Sequence, residues 1–425
     1  METVRLLTDC RQREEQARRR PHDNVVNMIS LSVLLGLVGF STVLLALCLL
    51  FLLGRWLAKT FRPVQAATPE LSTYPFVSIL VPFFNEPADS FLRTLDAIEA
   101  TDYRGELEVV LIDDGSSNAT PGMLADWLRH PRQKHYVLCS LARNSGAKGR
   151  ALDAALPLIS AESDVVTVID SDTVILPGAL RLAVEALYAS PTHAAACGLI
   201  VPAGRHDSWL HSFQFYEHVG ALATIRFVQS RMGMVNVVAG AFSLHKTAVI
   251  RELGGWGEWL VEDIAWTWRA LAHGYTIGYS PDAIAYTVCP STLFGLFRQR
   301  RRWARGRLES FKVAWRISRA HTMKMLPWWL LWAQSALLPT LLLSIAGAWL
   351  YDSRVLFGLA AANWGVMALL NGVACLQARH RLKLRWRDML LVSLYNTGID
   401  TLLLPANVIG LVDELRGGRK SWLTR

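Results

Sequence analysis

The segment Val165-Val166-Thr167-Val168-Ile169-Asp170-Ser171-Asp172-Thr173 decides how the chain folds. Its first five residues form a short apolar run that reads as a strand, and the run ends abruptly in two carboxylates spaced two residues apart. The pattern repeats upstream. Val77 to Phe84 is an apolar run, and Asp89 to Ala100 follows with Phe91, Leu92, Leu95 and Ile98 at helical spacing. Leu107 to Ile112 reads as the next strand, Pro121 to Leu128 as a helix, Tyr136 to Leu141 as a strand and Lys148 to Ile159 as a helix. Strands that alternate with helices predict an α/β domain with a mostly parallel sheet and helices on both faces. Such sheets bind ligands beyond the carboxyl ends of their strands.

Two acidic clusters occupy those ends. One strand runs into Asp113-Asp114-Gly115-Ser116 and another into Asp170-Ser171-Asp172-Thr173. Asp and Gly are good turn formers after any strand, so one cluster alone says little. Two in one sheet, both at carboxyl ends, point to a site. Carboxylates two apart on extended chain can share a hard cation, and Mg²⁺ or Mn²⁺ suits a few carboxylates plus substrate phosphates. A divalent ion on a diphosphate would make it a better leaving group.

The composition speaks for membrane segments. Of 425 residues, 52% are hydrophobic and 19% charged. Four apolar runs, Val26 to Leu53, Leu326 to Leu350, Val355 to Cys375 and Met389 to Leu411, are each long enough to span a hydrocarbon core. The first starts too far into the chain and runs too long for a signal peptide, and reads as a retained anchor. The net charge of +9 concentrates in Arg298 to Arg307 and Arg379 to Arg387, both beside apolar runs, which is the positive-inside pattern and not a nucleic-acid footprint. It predicts a cytosolic domain between the first two crossings. The six cysteines are scattered without a CxxC pair, the pattern of reduced thiols.

Against this background the chain resembles the family-2 glycosyltransferases of the GT-A fold, in the processive, membrane-integrated branch that includes cellulose, hyaluronan, chitin-oligosaccharide and poly-N-acetylglucosamine synthases. The resemblance runs in order from about Val77 to Arg307. Pro82-Phe83-Phe84-Asn85-Glu86 resembles the first-strand motif that cradles the nucleotide, and Asp113-Asp114-Gly115-Ser116 the uridine-binding motif. Asn144-Ser145-Gly146-Ala147-Lys148-Gly149 resembles the motif whose lysine approaches the donor, and Asp170-Ser171-Asp172 the metal-binding DxD. The triplet Val261-Glu262-Asp263 departs from the family's T/G-E-D only at its first position, and the resemblance makes Asp263 the general base. Gln299-Arg300-Arg301-Arg302-Trp303 fits QxxRW. By resemblance Arg302 pairs with the donor diphosphate and Trp303 floors the acceptor-sugar site, with Glu262 and Gln299 beside it. Guanidinium forks suit phosphate, and an indole stacks on the apolar face of a sugar. Arg300 and Arg301 are expected to face lipid headgroups or solvent.

The resemblance thus implies donor contacts from Pro82, Asn85, Glu86, Asp113, Asp114, Lys148, Asp170 and Arg302, a Mg²⁺ or Mn²⁺ ion on Asp170 and Asp172, and Asp263 as base. The expected layout is a tail over 1–25, an anchor over 26–54 and a cytosolic GT-A domain over 72–290. Interfacial amphipathic helices with QxxRW follow over 291–323, then a three-helix membrane bundle over 324–413 and a tail over 414–425. The expected activity is inverting, processive transfer from a UDP-sugar to a growing β-linked glycan at the inner or plasma membrane, as in exopolysaccharide synthesis. Lipids surround the bundle, accessory export subunits have a place, and no nucleic acid does. UDP-N-acetylglucosamine is the expected donor. UDP-glucose, and a single transfer to a lipid-linked acceptor, stay open.

Overall fold

The computed structural model describes residues 71–204, 208–337, 340–379 and 382–418, with parts of 28–54. The expected tail over 1–25, parts of the expected anchor and residues 419–425 lie outside the described residues. One eight-stranded sheet organises the domain: β1 (Val77–Phe83), β2 (Leu107–Asp113), β3 (His135–Ser140), β4 (Val165–Ile169), β5 (Thr173–Ile175), β6 (His193–Pro202), β7 (Phe242–Lys246) and β8 (Thr276–Thr287), in spatial order β3-β2-β1-β4-β7-β6-β8-β5. The four strands β3, β2, β1 and β4 run parallel, β7 is antiparallel to both β4 and β6, and β6 is parallel to β8. The helices are α1 (Ala88–Glu99), α2 (Thr120–Leu128), α3 (Lys148–Ala155), α4 (Ala179–Tyr188), α5 (Trp209–Glu217), α6 (Ala223–Ser230), α7 (Thr247–Glu252) and α8 (Glu262–Ala272). They continue as α9 (Leu293–Ile317), α10 (Arg319–Leu337), α11 (Thr340–Leu350), α12 (Arg354–Ala378) and α13 (Trp386–Leu415).

Side-chain alternation along β1 builds both sides of the core. Val77, Ile79 and Val81 pack in one buried cluster with Phe91, Leu95 and Ile98 of α1. Leu80 belongs to the opposite cluster, with Ala151 and Leu152 of α3 and Ile264, Trp266 and Trp268 of α8. A strand covered on both faces in this way carries apolar residues without a polar face, which is why the runs read so clearly. The helix expected over Lys148 to Ile159 stops at Ala155 and tightens into a 3₁₀ turn over Leu156–Leu158. Pro157 lies in that turn, and proline cannot continue an α-helical ladder.

The apolar runs differ from expectation. No helix among the described residues is long and apolar enough to cross a membrane. The run Leu326 to Leu350 is shared between α10 and α11, and α10 begins at Arg319, ahead of the run, taking in Arg319 and Lys324. The last run belongs to α13, which spans 30 residues and carries Arg387 and Asp388 at one end and Asp413 and Glu414 at the other.

Candidate active site

The carboxyl ends of β1 and β2 form one corner of the site. Their register places Pro82 beside Ile112 and Phe83 beside Asp113. Asn85 then takes a left-handed backbone, with φ of 54°. Its side-chain oxygen accepts from the backbone N–H groups of Ser117 (2.8 Å) and Asn118 (3.1 Å), and its own N–H donates to the Ser116 hydroxyl (3.0 Å). Glu86 is buried, and its carbonyl accepts from the Thr120 hydroxyl at 3.1 Å. Asp113 accepts from the Ser116 N–H at 2.8 Å. Asp114 reaches the next loop, accepting from the Ser145 N–H (2.8 Å), the Ser145 hydroxyl (3.0 Å) and the Asn144 amide (3.1 Å). Burial pushes the Asp114 carboxyl up, and the two bonds from Ser145 oppose this. These residues thus tie three loops into one wall.

Lys148 is the hub of a second corner. Its buried ammonium lies 2.5 Å from Asp170 Oδ1 and 3.2 Å from Glu262 Oε1, and donates to the Gly240 carbonyl at 3.0 Å. Burial alone would lower its pKa; the carboxylates of Asp170, Glu262 and Asp263 outweigh burial and raise it, so the amine stays charged.

Asp263, in the first turn of α8, completes this corner. Its Oδ2 accepts from the Gly240 N–H at 2.8 Å and its Oδ1 from the Ile264 N–H at 2.6 Å. Burial, then the neighbouring Glu262 charge, raise its pKa to about 6, against the opposing pull of Lys148 and the two N–H donors. A carboxyl tuned toward neutrality in a charged cleft has the properties of a general base. The turn before α8 is pinned from α3. Asp153 accepts from the N–H groups of Trp256 and Gly257, both at 2.8 Å, and Arg269 of α8 donates to the carbonyl of Gly255 at 3.0 Å. Sequence reasoning passed over Asp153, since nothing in a lone helical aspartate reveals a partner 104 residues away.

The long helix α9 supplies Gln299, Arg302 and Trp303, all half-buried, with Gln299 and Trp303 four residues apart on one face. Burial lowers the Arg302 pKa, while the charges of Glu262, Asp263 and Asp170 oppose it. The helix docks on the start of α8 by close approach. A Cβ on Gly306 would lie 2.4 Å from a methyl of Val261, and buried Glu309 accepts from the Leu260 N–H at 3.2 Å. Val261 is the residue at which the triplet departs from the family pattern, and Gly306 makes room for it. One expectation on this helix is corrected. Arg300 is buried and forms an ion pair with buried Glu217 at 2.6 Å. A carboxylate arriving from a distant element satisfies it, where an arginine run alone suggests solvent. Arg301 is exposed as expected, and pairs at the surface with Asp413 of α13 at 2.5 Å.

The metal expectation can be tested on the donor set. Asp170 and Asp172 are both half-buried. Asp170 presents one oxygen to Lys148, and Asp172 Oδ1 accepts from the Thr287 hydroxyl at 3.2 Å. No group of three or more His, Cys, Asp or Glu side chains among the described residues could hold a metal ion. Two oxygen ligands without a third fit Mg²⁺ or Mn²⁺, which take one or two carboxylates and complete their shell with water and substrate phosphate. They do not fit a resident structural metal.

A family model described as glycosyl transferase family group 2 matches residues 165–376. The chain is 30% identical over 254 residues to an N-acetylglucosaminyltransferase of Azorhizobium caulinodans, covering 58% of this chain and 63% of that protein. It is 31% identical over 232 residues to a poly-β-1,6-N-acetyl-D-glucosamine synthase of Staphylococcus epidermidis, covering 54% of each. The chain thus spans little more than half the length of the curated relatives it matches. Among solved structures, a mannosyltransferase from Pyrobaculum calidifontis in complex with GDP-Man and Mn²⁺ aligns with a TM-score of 0.55 at 21% identity, covering 90% of this chain and all of that one. That likeness shows a shared GT-A-like fold.

Proposed function

We propose that this chain, which matches the family group 2 glycosyl transferase model over residues 165–376, is a family-2 glycosyltransferase that transfers a sugar, with inversion, from a UDP-sugar to a growing β-linked glycan. The observation that carries the reading is the junction of Lys148, Asp170, Glu262, Asp263 and Gly240 within direct hydrogen-bonding or ion-pairing distance. Asp263 takes the proton of the acceptor hydroxyl, whose oxygen forms the new bond to the anomeric carbon while the bond to the diphosphate breaks. Inversion needs a base on the face opposite the leaving group. Lys148 and Arg302 offset the negative charge of the departing diphosphate. A divalent ion bound to Asp170 and Asp172 would supply Lewis-acid stabilisation of the same group. Asn85, Asp113 and Asp114 fix the loops around the nucleotide, and Trp303 and Gln299 line the acceptor side.

N-acetylglucosamine is the proposed sugar, in keeping with the names of the relatives, and processive elongation is the proposed mode, in keeping with the QxxRW helix. Membrane residence at the inner or plasma membrane, with the catalytic domain cytosolic, is part of the proposal. It is supported by the apolar side chains that the carboxyl-terminal helices present outward, among them Trp349 at 83%, Phe357 at 67% and Leu390 at 74% exposure. The test is a panel of radiolabelled UDP-sugars offered to the protein in membranes. High-molecular-mass label from UDP-N-acetylglucosamine is expected; label only from UDP-glucose would change the sugar, and a single added sugar on lipid would remove processivity.

A further inference from the structure

We propose that Glu217 and Arg300 form a positioning device for Trp303, and so for the acceptor glycan; this rests on the acceptor role proposed for Trp303. Arg300 Nη2 lies 2.6 Å from Glu217 Oε2, and the Arg300 guanidinium carbon lies 4.1 Å from the centre of the Trp303 ring. One guanidinium therefore serves two partners, a carboxylate and an indole three residues on along α9. Arg300 and Glu217 are only 5% and 8% exposed, so neither acts as a solvated surface charge.

Glu217 is itself fixed from both sides. It closes α5, where the chain widens into a π-turn over His218–Leu222, a local geometry often found at functional sites. Its neighbour Tyr216 donates to Asp388 of α13 at 2.8 Å, and the ring of its other neighbour His218 lies 3.3 Å from the Ile200 carbonyl of β6. Asp388 in turn accepts from the Arg385 N–H at 2.7 Å. The sheet and the last helix thus hold the two residues that flank Glu217. A buried ion pair is a poor way to gain stability, since apolar side chains of similar volume would hold the helices at lower cost. What it supplies is a flat, charged plate at a set position. Arginine provides the plane that lysine lacks, and stacking against an indole is stronger away from water.

The test uses the full-length protein in membranes, UDP-N-acetylglucosamine as donor and a β-linked N-acetylglucosamine oligosaccharide as acceptor. Arg300→Lys keeps a cation opposite Glu217 and removes the plane. It should raise the acceptor KM about tenfold and leave the donor KM unchanged. Glu217→Gln keeps volume and removes the charge, and carries the same expectation should Arg300→Lys fold poorly. In a Trp303→Ala background neither change should alter the acceptor KM further, because the group they position is gone. An equal rise of the acceptor KM in that background, or a rise of donor and acceptor KM together, overturns the inference. Absence of sugar transfer by the unmutated protein from any UDP-sugar would instead overturn the functional reading and take this inference with it.

Discussion

Asp263 Oδ2 accepts a hydrogen bond from the backbone N–H of Gly240 at 2.8 Å. The contact joins the start of α8 to the segment leading into β7, and it leaves little room for a side chain. A Cβ on Gly240 would stand 3.0 Å from Asp263 Oδ2 and 3.3 Å from Lys148 Nζ. The neighbours are the ends of side chains, so they would yield without unfolding the domain. Gly240→Ala should therefore keep its thermal stability and lose about ten- to a hundredfold in kcat, as small misplacements of reacting groups do. The measurement is kcat beside a melting curve. Unchanged turnover would mean that the position of this carboxylate is not critical.

Asp153 offers a stability counterpart. Its two oxygens accept from Trp256 and Gly257, and Asp153→Ala leaves both N–H groups without that partner. A loss of about 2–3 kcal/mol is expected, with Asp153→Asn intermediate. Because the same turn leads into Glu262 and Asp263, kcat should fall in both variants. Denaturation monitored beside activity separates the two effects. Stability equal to the unmutated protein in Asp153→Ala would refute the pinning role.

Chelation tests the carboxylates at the end of β4. EDTA should abolish transfer, and Mg²⁺ or Mn²⁺ should restore it. Asp172→Ala should need more metal for half-maximal rate, since one of two protein ligands is missing. Full activity in excess chelator would remove the ion from the account.

The parallel half of the sheet was legible because β1, β2 and β4 are buried on both faces. Val165 to Ile169 matches β4 at both ends, and Phe91, Leu95 and Ile98 are core residues of α1 as their spacing predicts. The second half was not. β6, β7 and β8 mix antiparallel and parallel pairing, and β8 carries Ser280, Pro281 and Asp282 through a register shift opposite Gly198 and Leu199. Local pattern blurs where a bulge breaks the two-residue period. Within the site, the ionisable residues of the motifs were readable from their order along the chain. The residues that hold them were not. Asp153 under the Trp256 turn, Gly306 against Val261 and Glu217 beneath Arg300 depend on contacts tens of residues or more apart, and a helical Glu or Gly has no sequence mark of such a partner. Arg300 misled for the same reason, since its partner Glu217 lies 83 residues away.

The central claim is that Asp263 accepts the acceptor's proton, and the pH dependence of kcat with saturating UDP-sugar tests it most directly. Burial and the Glu262 charge hold the Asp263 pKa near about 6. The base works only when ionised, so kcat should rise with pH up to about 6 and level off above it. Asp263→Asn cannot take a proton. It should bind UDP normally, lose about 10²–10⁴-fold in kcat and show no inflection near that pH. Near-normal turnover in Asp263→Asn, or the same inflection retained, would contradict the account.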